Sequence, residues 1–252
     1  MTAALPRPTD VALVLNPDPI DYPSSDGEPV AETYTHFYAL LVTLEVLRQY
    51  MEGQRATVLA NQFLYYSEGM PRLRVAPDVM VIFDVEPGGR DNYKIWQEGQ
   101  VPSVIFEMTS ASTQDQDKTF KKTLYEQMGV AEYWLFDPRG EWVEDQLQGY
   151  RLEHEIYHPI TDGRSAPLNL RLQVEGDLIG FYREDTGEKL LIPSELSQAL
   201  RQEAIARQQA EQRADQERQR ADQERQRAEQ AEARLAALEA RLKAQGIDLE
   251  GE

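Results

Sequence analysis

Apolar positions first recur at helical spacing after Ala31, where Phe37, Leu40, Leu41, Leu44, Leu47 and Met51 lie three or four residues apart and Gly53 closes the run. Four stretches rich in Val, Ile, Phe and Tyr follow: Ala56 to Tyr66, Val75 to Phe83, Ser103 to Met108 and Glu132 to Phe136. Bounded by Gly, Pro or Asp, they read as strands. Between the last two, Thr113 with Gln116 suits a capping box, Phe120, Leu124 and Met128 mark a buried helix face, and Gly129 suits the residue just past its end. Further strands are expected around Glu141 to Leu152 and Ile156 to Ile160, with a loop at Asp162-Gly163. The order predicts an α/β (α+β) domain over residues 31–195, a mixed β-sheet with helices packed against it.

The pattern changes near Ser194. From Arg201 onward there is no proline, and the seven residues Arg213 to Gln219 repeat letter for letter from Arg220 to Gln226, with a looser copy from Arg227 to Ala233. Ala, Glu, Gln and Arg without breakers predict one long C-terminal helix over residues 196–252. With Ala214, Ala221, Ala228, Leu235 and Leu242 at the a positions of a heptad, Glu217 and Glu224 fall at d, a poor seam. Arg213 with Glu217 and Arg220 with Glu224 support an isolated helix instead, by about 0.2 to 0.5 kcal/mol each. The tail therefore reads either as a homo-oligomer or protein-partner coiled coil through residues 201–252 or as a solvated single helix. At the other end, residues 1–30 hold six prolines and are expected to form an extended N-terminal arm.

Charge and composition narrow the chemistry. The 252 residues carry a net charge of −18 and no cysteine, which excludes disulfides and thiolate zinc sites. Residues 201–252 hold ten basic and twelve acidic side chains, so −16 of the charge belongs to the rest of the chain. That argues against coating nucleic acid with Lys and Arg. The opening residues do not resemble a signal peptide, and the longest apolar-rich run, Phe37 to Leu44, is far short of the roughly 18 residues a membrane span needs. No membrane association and a cytoplasmic location are expected.

Two acids stand out by position. Asp78 directly precedes the apolar strand half Val79 to Phe83, and Glu107 interrupts the apolar run Val104 to Met108. A carboxylate at the end of a buried strand is costly unless it is paired or holds a metal, although either alone is also compatible with a surface strand terminus. On consecutive strands the two together supply the hard oxygen ligands Mg²⁺ prefers. Lys121 and Tyr125, four residues apart, share one face of the following helix, and a lysine there reaches toward strand ends. Arg72, Arg74, Arg90, Lys94, Lys118, Lys121 and Lys122 make up a candidate basic strip. His154 and His158 lie in a strand pattern that does not suit a metal pair.

The series Ala76-Pro77-Asp78, then Ile105 to Thr113, then Asp117, Lys121 and Tyr125, then Gly129 to Asp137 resembles the Uma-two family of restriction-endonuclease-like proteins, formerly a domain of unknown function, within the PD-(D/E)XK nuclease superfamily. The resemblance runs from about Tyr22 to Leu152 and leaves the tail outside. It implies a restriction-endonuclease-like fold and Mg²⁺-dependent hydrolysis of DNA, with Mn²⁺ as a substitute. Asp78 and Glu107 are implied as catalytic acids and metal ligands along with the Met108 carbonyl, Lys121 as the catalytic lysine, and Glu32, less securely, as an additional helix acid that completes the metal's ligand shell or supports a second ion. Two residues past Glu107, where the superfamily usually has lysine, this chain has Thr109; the matching lysine is Lys121 on the helix. His36, one turn beyond Glu32, reads as an ordinary helix residue. The competing interpretation is a catalytically silent nuclease-like scaffold that uses its helical tail for protein interaction.

Overall fold

A computed structural model of the chain describes residues 20–27 and 32–244. Most of the expected N-terminal arm, 1–19 and 28–30, lies outside the described residues, as do the last residues of the tail, 245–252. The chain divides into two units, Met1–Ile192 and Pro193–Glu252.

The first unit is a mixed α/β fold. Its elements are α1 (Tyr34–Tyr50), β1 (Ala56–Ala60), β2 (Leu64–Tyr65), β3 (Arg74–Val75), β4 (Val79–Phe83), β5 (Tyr93–Lys94), α2 (Ile95–Glu98), β6 (Val104–Met108), a π-helical segment (Gln116–Lys121) continuing into α3 (Lys122–Met128), β7 (Glu132–Phe136), β8 (Leu147–Glu153), β9 (Ile156–Ile160), β10 (Arg164–Ser165), β11 (Leu170–Glu175) and β12 (Leu178–Arg183). A six-stranded sheet in the order β1-β4-β6-β7-β8-β9 forms the centre. Only β6 and β7 pair in parallel within it, because the helical crossover through α3 returns the chain in the same direction.

Alternation along the strands divides the interior into two cores. Val79, Val81, Val104, Phe106, Trp134 and Phe136 face α1 and the β10-β11-β12 sheet, where Phe106 meets Phe181 edge-on at 5.9 Å. Met80, Ile82, Ile105, Tyr133 and Leu135 face the opposite way, toward Tyr125 of α3 and the small β3-β2-β5 sheet. Gly149 of β8 leaves room for the Trp134 ring; a Cβ there would lie 2.5 Å from it.

Several expected details differ. The stretch Ala56 to Tyr66 is two strands, as is Val75 to Phe83, because Asn61 at φ 51° and the Pro77-Asp78 segment break the ladder. α1 and its C-cap bury Leu40, Leu47 and Met51 of the expected stripe together with Ala39, Val42 and Val46, while Phe37 and Leu41 remain exposed, so the buried face of the helix is rotated to one side of that stripe. The second unit is α4 (Pro193–Ala244), 52 residues with none buried, about 78 Å at 1.5 Å per residue.

Candidate active site

β4 and β6 are antiparallel with Val79 opposite Phe106 and Met80 opposite Ile105. One step further, the register sets Asp78 opposite Glu107, and opposed residues project to the same face. Two backbone groups fix Asp78. Asn61 donates its N–H to the carbonyls of Pro77 and Asp78 at 3.0 and 3.2 Å, and Asp78 Oδ2 accepts the Met108 N–H at 2.6 Å.

Glu107 is fully buried, and both of its oxygens have partners. Tyr125 donates its hydroxyl to Oε1 at 2.7 Å, and Lys121 Nζ donates to Oε2 at 2.9 Å. The same ammonium lies 2.9 Å from Asp117 Oδ1, but out of line for a hydrogen bond, so neither buried Asp117 oxygen has a hydrogen-bond partner among the described residues. The helix face turned inward is therefore Asp117, Lys121 and Tyr125. The expected face fails at Phe120, which is 57% exposed. The reason is energetic: Glu107 buried without donors would cost more than an exposed phenyl ring, so Lys121 and Tyr125 turn in to meet it, and Asp117, four residues before Lys121, is buried with them against its charge. The π-helical segment beneath Lys121 shifts the faces at that point.

Glu107 and Asp117 thus share one ammonium, whose charge also acts on Asp78. Burial pushes the Asp78 carboxyl up to about 6, opposed by Lys121 and the Met108 N–H and reinforced by Asp117 and Glu32. Burial pushes Glu107 up to about 8, with Lys121 opposing and Asp78 and Asp117 reinforcing. For Lys121, burial acts downward, but Glu107, Asp117 and Asp78 outweigh it and hold the ammonium above its ordinary range. All three directions follow from an excess of negative charge in a dry pocket.

Glu32 stands farther out. Thr33 caps α1 by accepting the His36 N–H at 3.3 Å, and the buried His36 ring places Nε2 3.6 Å from Glu32 Oε2 and 3.8 Å from Asp78 Oδ2. Glu32 therefore approaches the cluster through His36, which is more than an ordinary helix residue. His36 Nδ1 and Thr109 Oγ1 are buried without hydrogen-bond partners among the described residues. Thr109, two residues past Glu107, brings no charge, and the ammonium beside Glu107 is that of Lys121.

The donor chemistry suits an oxygen-seeking divalent cation: carboxylates on opposed strand residues, negative charge exceeding positive, and buried Asp117 oxygens without hydrogen bonds. Among the described residues, no group of three or more His, Cys, Asp or Glu side chains is placed to hold a metal alone. A two-carboxylate set agrees with Mg²⁺, which usually retains several waters.

The expected basic strip is dispersed among local partners. Arg90 pairs with Glu98 at 3.0 Å, Lys118 donates to the Trp142 carbonyl, and Lys122, Lys94 and Arg74 lie over the rings of Tyr150, Tyr22 and Phe63. His154 occupies a turn at φ 52°, and His158 is exposed on β9. Among the described residues, no helix is long and apolar enough to cross a membrane.

A family profile described as "Uma2: Putative restriction endonuclease" matches residues 12–178. Among solved structures, the chain is similar to one described as "a putative nuclease belonging to DUF820 from Anabaena variabilis", at 14% identity and a TM-score of 0.40, covering 54% of this chain and 72% of that one. No curated protein matches.

Proposed function

The chain belongs to the Uma2 family, a distant branch of the PD-(D/E)XK-like nucleases, and from that premise we propose that it is a metal-dependent DNA endonuclease hydrolysing phosphodiester bonds. The observation that carries the proposal is Asp78 opposite Glu107 at a strand end, with Lys121 Nζ on the Glu107 carboxylate.

Asp78, Glu107 and the Met108 carbonyl would hold Mg²⁺ or Mn²⁺. The bound ion supplies a water of lowered pKa and positive charge for the phosphate oxygens. Lys121 remains an ammonium at neutral pH, so its part is to donate hydrogen bonds and offset the negative charge that develops at phosphate, not to take a proton. Tyr125 fixes the orientation of Glu107, and Asp117 holds the ammonium beside it. Glu32 acts from outside, through His36.

Supercoiled plasmid incubated with Mg²⁺ or Mn²⁺ tests this reading. Wild type is expected to nick or cut it, and Asp78→Ala and Glu107→Gln are expected to abolish the reaction. Identical behaviour of wild type and Glu107→Gln with both metals, across several DNA forms, overturns it.

A further inference from the structure

Two hollows flank His36 and share it with Glu32. The larger, about 630 Å³, is walled by Tyr34, Phe37, Leu40 and Leu41 of α1 and ends on Asp78. Tyr34 is 77% and Phe37 54% exposed, a large apolar area beside a catalytic carboxylate. One face of Tyr34 stacks on Tyr38, with centroids 5.6 Å apart and planes within 7° of parallel. The smaller hollow, about 210 Å³, sets Arg139 and the hydroxyls of Thr35, Ser110 and Ser112 beside the carboxylates of Asp137 and Glu141, an acidic lining that does not suit a phosphate.

We propose that the apolar hollow is a nucleobase site, and that the enzyme takes a single, unstacked DNA strand whose base continues the Tyr34–Tyr38 stack while its backbone lies at Asp78. This rests on the endonuclease reading above and names its substrate class. Two observations select a base over another occupant. The hollow ends on the carboxylate proposed to act on phosphate, so a nucleotide bound there spans both chemistries. The −16 carried outside the tail and the local engagement of Arg90, Lys94, Lys118 and Lys122 leave little for phosphate neutralisation along a duplex, whereas stacking on aromatic rings needs no net charge. Duplex DNA keeps its bases stacked inward and cannot present one here without unpairing it.

The test uses the full chain in EDTA with a single-stranded oligonucleotide carrying 2-aminopurine and with the same sequence as duplex. Wild type is expected to bind the single strand more tightly and to quench the 2-aminopurine fluorescence. Tyr34→Ala and Phe37→Ala should each weaken binding about tenfold and relieve the quench, in keeping with about 1 to 3 kcal/mol per stacked base, while Phe37→Trp keeps both. Both side chains are exposed, and circular dichroism checks that the variants fold. Equal or tighter duplex binding, no binding by wild type, or variants indistinguishable from it overturn the inference. So does a fall in mass by light scattering for Phe37→Glu with single-strand binding unchanged, which assigns the hollow to a second copy of the chain. Plasmid cleavage by wild type alongside unaffected Tyr34→Ala and Phe37→Ala binding removes this inference alone. Quenching that depends on Tyr34, alongside plasmid cleavage unaffected by Glu107→Gln, removes the endonuclease reading and leaves the base site standing.

Discussion

The Asp78 carboxylate accepts the backbone N–H of Met108 at 2.6 Å, tying the end of β4 to the residue that follows Glu107 on β6. The bond fixes the Asp78 carboxylate against the main chain of β6, while the Glu107 carboxylate is held by Tyr125 and Lys121. It also means that removing the Asp78 side chain frees a buried donor as well as a ligand. Asp78→Asn is therefore the cleaner probe, since its amide oxygen can still accept from Met108. Asp78→Asn is expected to fold like wild type and lose cleavage, whereas Asp78→Ala should lose stability as well, by about 1 to 3 kcal/mol for the unpaired donor. Thermal melts beside plasmid assays separate the two effects.

Lys121→Ala removes the ammonium that pairs with both Glu107 and Asp117. Cleavage should fall by about 10² to 10³, the cost typical of a lost electrostatic donor. Lys121→Arg should recover only part of it, because a planar guanidinium does not reproduce the position of a compact ammonium. Full activity in Lys121→Ala would show that this lysine serves the fold alone.

Tyr125→Phe deletes the donor to Glu107 Oε1 and leaves a buried carboxylate oxygen unpaired, because Glu107 has no solvent exposure. Urea unfolding should show a loss of about 1 to 3 kcal/mol. Cleavage should fall too, through loss of Glu107 orientation. A variant as stable and active as wild type contradicts that role.

Without metal, stability should decline as pH rises. The folded-state pKa of Asp78 is raised from 3.8 to about 6 and that of Glu107 from 4.5 to about 8, so folding favours their protonated forms. That contribution is complete below about pH 4 and is lost as pH rises through the folded-state values, between about 4 and 8. For Asp78 alone it is on the order of 3 kcal/mol. In EDTA, the melting temperature should fall by several degrees from pH 5 to pH 8, and Asp78→Asn should flatten the slope. Added Mg²⁺ should raise the melting temperature most at the alkaline end, by binding the ionised carboxylates. A metal-free stability that rises over this window contradicts the shared-charge description.

Gly149→Ala tests the packing beneath the site. The added methyl group would meet the ring of Trp134, on the strand beside β6, at 2.5 Å. A loss of about 1 to 3 kcal/mol in urea unfolding is expected, the usual range for overpacking a filled core.

The strand carrying Glu107 was legible because it is short, apolar and bounded by breakers, and β7 was expected at Glu132 to Phe136, where the structure has it. The tail was legible as helix for the same local reason, since nothing in it breaks the pattern and none of its described residues is buried. Asp78, Glu107 and Lys121 were marked by an apolar context and a family motif. That they converge was not local information. Strands β5, β10, β11 and β12 were not individually recognisable: β5 and β10 are two residues each, and such pieces hold only by pairing with distant segments.

The sequence by itself determined the alternation of helix and strand, the acids at two strand ends, and where the charge resides. Tertiary structure decided which faces turn inward. On α3 an apolar stripe and a polar row compete, and only a buried carboxylate on a strand fourteen residues earlier makes the polar row win. On α1 the second sheet covers one side and leaves Tyr34 and Phe37 open beside Asp78. Periodicity reports that a helix has an apolar side. What it packs against is set by desolvation and pairing across the fold.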